Sequence, residues 1–327
     1  MLIDPDVQTT SSQEARVPTV SIGMPVYNGE EYIREALDSL LAQTYNDFEL
    51  VISDNASTDG TEAICREYLN RDTRIKFIRQ STNIGGCDNF LYLLQHARGE
   101  YFKWLAHDDY LEPFFLEMII KYLDDHDDVV LCISDVKLID GARQVLGVQC
   151  LEELRDHKDW RDNRRKVFSF SDHLSFTSAL AIYGVYRLST IRAHDIRPIQ
   201  GLWGLLLGSE YPFLNRVALV GKIVALPSVQ MTYRVLNGSM GHTEGTNVSM
   251  VRRYVNYVYY LFDAIRIVLF SRLDLKEKIP LLSSIVFFDL RMVVIRLFKV
   301  TVIRLIGHSA TTKLKYTLLR LSRKPGK

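Results

Sequence analysis

Apolar positions along the first 140 residues fall into two alternating rhythms. Continuous runs at 19–26 (TVSIGMPV), 48–53 (FELVIS), 75–79 (IKFIR), 101–105 (YFKWL) and 129–134 (VVLCIS) read as buried strands. Between them the spacing becomes helical. Ile33, Leu37, Leu40 and Leu41 share one face, a second helix runs to about Leu69, and a third carries Phe90, Leu93, Leu94 and Ala97. Helix starts are signalled too. Asn28 and Glu31 stand at capping-box spacing, Ser57 or Thr58 can cap the second helix, Asn83 to Gly86 turns into the third, and Pro113 suits the first turn of the fourth. Strands separated by helices predict an α/β fold whose mostly parallel, Rossmann-like sheet has right-handed crossovers and helices on both faces.

Open sheets of this kind collect ligand-binding groups at the carboxyl ends of their strands. Three polar segments fall there: PVYN at 25–28, SDNASTDGT at 53–61 and HDD at 107–109. Asp108 and Asp109 carry most of the chemistry, because adjacent carboxylates repel unless a divalent cation or hydrogen-bond donors lie between them. The first strand-to-helix turn has no G-x-G-x-x-G, and no G-x-x-x-x-G-K-[ST] occurs anywhere. Neither a dinucleotide nor a P-loop phosphate therefore has its usual cradle. A cation bridging Asp109 to a diphosphate takes that place and acts as a Lewis acid on the leaving group. His107 reads as a loop residue rather than a ligand, and Arg187 as the partner of a carboxylate.

Charge divides the chain. The 327 residues have a net charge of +1 and are 47% hydrophobic, enough for a large core. Residues 251–327 hold 16 Lys+Arg and 4 Asp+Glu, or +12, which leaves 24 against 35, or −11, for residues 1–250. Charges interrupt every apolar run of this tail, so no bilayer span is expected. Arg291, Arg296, Lys299 and Arg304 among bulky aliphatics suit an amphipathic helix on an anionic membrane surface, the ordinary alternative being a helical cap on the core or a dimer interface. Large aliphatics between the charges argue against nucleic acid. Four cysteines (65, 87, 132 and 150) without paired spacing predict free thiols and a cytoplasmic setting, on the inner face of the plasma membrane if the tail docks there. The first residues lack the pattern of a signal peptide and read as a disordered lead-in.

The ordered set PVYN, SDNASTDGT, Asn83-x-Gly85 with Asn89, ARGEYFKWLAHDD, IYGVYR and GSEYPFLNRVALVGKI resembles the inverting family 2 glycosyltransferases of the GT-A fold over roughly residues 18–240. The resemblance implies a nucleotide-sugar donor, with UDP favoured, and Mn2+ or Mg2+ as cofactor. It implies that Pro25, Tyr27, Asn28, Asp54, Asn55 and Asn83 form the nucleotide side and that Tyr27 lies against the base. Asp108 would reach the ribose or sugar, Asp109 the metal, and Arg234 a loop closing near the diphosphate. Glu210 would be the general base that deprotonates an acceptor hydroxyl, with Asp195 as the competing carboxylate. The acceptor implied is a glycan or lipid-linked saccharide. Three positions depart from the family's pattern: Asn55 and Ala106, where many members carry acidic residues, and Leu236, where a His is frequent. The expected organisation is a lead-in at 1–17, a nucleotide-sugar half at 18–140, an acceptor half at 141–248 and the helical tail at 249–327. A sugar nucleotidyltransferase and a non-catalytic nucleotide-binding or scaffolding protein of the same fold are the alternatives, and a homo-oligomer stays open.

Overall fold

The computed structural model describes residues 16–155, 164, 167, 180–198, 210–236 and 250–286. The sequence-expected strands appear as β1 (Val20–Val26), β2 (Phe48–Asp54), β3 (Ile75–Arg79), β4 (Tyr101–Trp104) and β6 (Val129–Ile139). A short β5 (Tyr110–Leu111) follows the carboxylate pair, and β7 (Val145–Gln149), β8 (Val185–Arg187) and β9 (Lys222–Arg234) complete the sheet. The helices are α1 (Ile33–Leu41), α2 (Thr61–Arg71), α3 (Gly86–His96), α4 (Phe115–Asp125), α5 (Leu188–Ala193), α6 (Glu210–Val220), α7 (Met250–Leu269) and α8 at 275–286.

These strands form one sheet in the order β3-β2-β1-β4-β8-β6-β9-β5, with β7 beside β6. The first four are mutually parallel and so place their carboxyl ends along one edge. Beyond β4 the pairing changes. β8 runs antiparallel to both β4 and β6, β5 is antiparallel to β9, and β6 and β9 are parallel. Parallel pairing holds throughout the nucleotide side and between β6 and β9, and the antiparallel pairs of β5, β7 and β8 make the α/β sheet as a whole mixed.

Every residue of β1 and β2 is buried, as expected of strands covered on both faces. Gly23 lets α3 approach β1, since a Cβ there would lie 2.9 Å from that of Leu93. Trp104 joins the sheet's two sides. Its ring meets Phe102, Tyr186 and Phe213 edge-on at 4.8, 5.5 and 5.4 Å between centroids, and its indole N–H donates to the Phe90 carbonyl at 3.1 Å. These contacts dock α6 and β8 against β4.

Two expected caps do not form. α1 and α2 start at Ile33 and Thr61 without a side-chain cap. The Asn28 carboxamide oxygen instead accepts from the Thr58 N–H at 2.9 Å, and Ser57 Oγ accepts from the Asn28 N–H at 2.9 Å. Those polar groups lace two loops together instead of ending helices. Arg187 pairs with a carboxylate as expected, that of Glu100 at 3.9 Å, and also donates to the Leu123 carbonyl at 2.7 Å, at the C-terminal turn of α4, where a cation suits exposed carbonyls. All four cysteines are free thiols, three of them buried.

The start of the tail packs on the domain. Tyr260, Ala264 and Val268 of α7 and Leu281 and Ile285 of α8 are buried. Asp263 of α7 pairs with Arg216 of α6 at 2.7 Å, and Glu277 of α8 lies 3.5 Å from the buried Arg164. Among the described residues no helix is long and apolar enough to cross a membrane. Residues 291–304, on which the expected amphipathic helix rests, lie outside the described residues.

Candidate active site

Four loops meet at the carboxyl edge of β3-β2-β1-β4, and each is tied to the next. The loop after β1 is left-handed at Asn28 (φ 51°), and the loop after β2 at Ala56 (φ 61°). Such backbone in a residue with a side chain costs about 1 kcal/mol or more and tends to collect at functional loops. Beyond the Asn28 contacts, Glu30 accepts from the Gly60 N–H at 2.5 Å, and Thr61 Oγ1 accepts from the Gly29 N–H at 2.8 Å. The third loop joins through Asn55, which donates to Asn83 Oδ1 at 2.9 Å and accepts from the Ile84 N–H at 2.8 Å. The fourth, carrying the carboxylate pair, lies against Gly29: a Cβ there would fall 2.5 Å from the His107 ring. Tyr27 stands out from this lattice, 41% exposed, whereas Pro25 is buried within β1 opposite Ser53.

Asp54 closes β2 and is fully engaged. Its Oδ1 accepts from the Ser57 N–H at 3.0 Å and its Oδ2 from Arg79 at 2.6 Å. Arg79 ends β3, in register with Asp54. Sequence reading missed this residue, because only the register of β3 against β2 brings it to Asp54.

Asp109 is also buried, but only half satisfied. Oδ1 accepts from the backbone N–H of Arg234 at 2.9 Å, and Oδ2 is buried with no hydrogen-bond partner. Burial, then the neighbouring Asp108 charge, pushes the Asp109 carboxyl well above the usual aspartate range. Lys103, wholly buried on β4, is pulled down to about 7 by desolvation while Asp109 opposes that shift. Its ammonium donates to the Tyr183 carbonyl and lies 4.6 Å from the centre of the Phe115 ring.

Arg234 is expected in a loop, and the structure makes it the buried final residue of β9. Its Nε donates to the Asp108 carbonyl at 3.0 Å, one terminal nitrogen donates to Glu35 of α1, and the guanidinium packs over the Tyr32 ring at 4.6 Å. Backbone and side chain of one arginine therefore fix both members of the carboxylate pair. Glu35 and Tyr32 carry no sequence signal, because Glu35 meets Arg234 across 199 positions of chain.

Glu210 is the first residue of α6, one turn before Phe213 and its Trp104 contact; its side chain lies outside the described residues. Asp195 pairs with Arg197 at the surface. Among the described residues no three His, Cys, Asp or Glu side chains converge as a metal cluster. A single orphaned oxygen beside a second carboxylate does not make an all-protein metal site. It fits a cation that takes its remaining ligands from a diphosphate, as hard divalent ions do at phosphate sites.

A parallel edge of laced loops followed by a carboxylate pair, on a sheet that then turns antiparallel, is the GT-A arrangement. Solved structures with this fold include Staphylococcus aureus TarS residues 1–349 in complex with UDP-GlcNAc (TM-score 0.62, 22% identity, covering 82% of this chain and 71% of that one). Another is the mannosyltransferase PcManGT from Pyrobaculum calidifontis in complex with GDP-Man and Mn2+ (TM-score 0.57, 17% identity, covering 95% and 82%). Residues 21–179, just under half of the chain, match the glycosyl transferase family 2 model. An uncharacterised glycosyltransferase of Rickettsia typhi is 42% identical over 124 residues, 37% of either chain, and a Mycobacterium tuberculosis protein is 45% identical over 122 residues, 36% of this chain and 35% of that one. These alignments span just over a third of the relatives' length. A glycosyltransferase of Methanocaldococcus jannaschii is 27% identical across 74% of this chain and 78% of its own.

Proposed function

We propose that this chain is a metal-dependent inverting glycosyltransferase that moves a sugar from a nucleoside diphosphate, UDP in our reading, to a hydroxyl of a glycan or lipid-linked saccharide in cell-surface polysaccharide assembly. The observation that carries it is the bare oxygen of Asp109, buried beside Asp108 where four loops converge. The complexes of TarS with UDP-GlcNAc and of PcManGT with GDP-Man and Mn2+ support a nucleotide-sugar donor and a divalent cation.

In this reading Tyr27 offers its exposed ring to the base. Asn55 and Asn83 shape the base pocket, while Asp54 and Asn28 hold the loops that line it and Pro25 sets the turn. Asp108 faces the ribose or sugar, and Asp109 would hold Mn2+ or Mg2+ at the donor's diphosphate. When bound, the cation would supply positive charge at the departing diphosphate. Arg234 positions the pair and leaves the diphosphate to other groups. Glu210 takes the proton of the acceptor hydroxyl as its oxygen attacks the anomeric carbon; the bond from that carbon to the diphosphate breaks, and the configuration inverts. Residues 18–140 serve the donor, 141–248 the acceptor, and the basic tail holds the enzyme at an anionic membrane carrying the acceptor.

Calorimetric titration of UDP and of GDP, each with and without Mn2+, tests the donor side. We expect metal-dependent binding of UDP that Asp109→Asn removes. If neither nucleotide binds in the presence of metal, the reading fails.

A further inference from the structure

α7 and α8 form a hairpin whose two faces are chemically sorted. The inner face carries Tyr260, Val268, Leu281 and Ile285, all buried. Two of the three acidic side chains are engaged with the domain, and the third, Asp274, is exposed in the turn. Asp263 is spent on Arg216, Glu277 lies near Arg164, and Asp274 Oδ1 caps α8 by accepting from the Glu277 N–H at 2.9 Å.

The outward face carries bulky apolar groups and cations. Phe270 is 83% exposed, Leu275 72% and Phe262 65%, with Ile279 and Val286 continuing along α8. Arg266, Arg272 and Lys276 are exposed among them. Arg266 does reach Asp263, but with its own side chain 63% exposed. Exposed aromatics and aliphatics next to one another are uncommon on a soluble surface and mark interaction sites. Arg266, Arg272 and Lys276 outnumber Asp274, the one exposed carboxylate of the described hairpin, so this face is net positive.

We propose that the tip of this hairpin, Phe270 and Leu275 with Arg272 and Lys276, inserts into an anionic lipid bilayer interface. A large apolar side chain reaches the acyl boundary while neighbouring cations meet headgroup phosphates, which is how amphipathic segments hold a membrane surface. A second copy of the chain would bring like charges together, so the charge selects anionic lipid. The sequence beyond the hairpin, residues 287–327, contains ten Lys or Arg and one Asp, and so continues the same sign. The proposal sharpens the membrane part of the proposed function and does not depend on sugar transfer.

Flotation of the full chain on vesicles of phosphatidylcholine with or without phosphatidylglycerol tests it, with UDP titration as a separate check of the donor site. Wild type should float only with anionic vesicles, and less as salt rises. The pair Arg272→Gln and Lys276→Gln should weaken partitioning by roughly thirtyfold, at about 1 kcal/mol per charge. Phe270→Ser with Leu275→Ser should weaken it by about a hundredfold at unchanged helicity. If wild type does not float, or floats as well after either double substitution, the proposal is overturned. It is overturned equally if the Ser pair converts a dimer to a monomer without changing flotation. Intact flotation with no UDP binding would sink the donor site and leave the membrane tip standing.

Discussion

Asp54 and Asp109 sit on either side of β1, both buried at the carboxyl edge of the sheet, and their surroundings are opposite. Every oxygen of Asp54 has a donor, from the Ser57 backbone and from Arg79. Asp109 has one donor, the Arg234 backbone, and one buried oxygen with no hydrogen-bond partner. The first carboxylate is a joint of the fold. The second is held at a cost that burial alone would not sustain, and unfavourable burial of this kind persists where a ligand supplies the missing partner. The resemblance implied that Asp54 holds the nucleotide and Asp109 the metal. In the structure Asp54 braces its loop, whereas Asp109 keeps one oxygen without a hydrogen-bond partner.

The largest effect that would break this contrast lies in exchanging each for asparagine. Asp109→Asn should lower metal-dependent sugar transfer by at least about a hundredfold, since cation charge at the leaving group contributes several kcal/mol. Its unfolding midpoint should stay level or rise. Asp54→Asn should do the reverse, with about 2 kcal/mol lost because an amide then faces the Arg79 guanidinium, and with activity falling only as the loop loosens. Steady-state rates and urea titrations on the same preparations read both quantities. Loss of stability in the first variant and loss of rate alone in the second would erase the contrast.

Next comes the strut behind the pair. Glu35→Gln removes the charged partner of a buried arginine, and about tenfold should be lost from kcat with little change in donor KM, because the carboxylates shift while the nucleotide loops stay laced. A change confined to KM would instead make Arg234 a donor ligand, as the resemblance implied.

The smallest effect is in pH. Folded Asp109 holds its proton more tightly than the unfolded chain does, so folding takes up a proton above the ordinary aspartate value and stability falls as pH rises through that window. In EDTA, the stability of wild type relative to Asp109→Asn should therefore decline from about pH 4 towards neutrality. A constant difference would mean that Asp109 is not strained.

How much of this was legible in the chain follows the range of each interaction. IKFIR at 75–79 became β3 residue for residue, and the segments carrying Tyr27, Asn55 and Asp109 gather at one edge because strand-helix alternation dictates it. Local cap signals failed at Asn28 and Ser57 because each side chain found a partner about 30 residues away. Glu35 and Arg79 carry no local signal at all. Their roles exist only once α1 meets β9 and β3 aligns with β2. The tail was legible as basic and helical, but the burial of Asp263 against Arg216, with Arg266, Arg272 and Lys276 left exposed, needed the packing of α7 on α6.

Mn2+ titration followed by electron paramagnetic resonance tests the central claim most directly, because free Mn2+ has a six-line signal that broadens away on binding. With UDP present, wild type and Asp54→Asn should both deplete the free signal beyond what UDP alone removes, and Asp109→Asn should not. Equal depletion by Asp109→Asn and wild type would show that the bare oxygen of Asp109 is not where the cation binds.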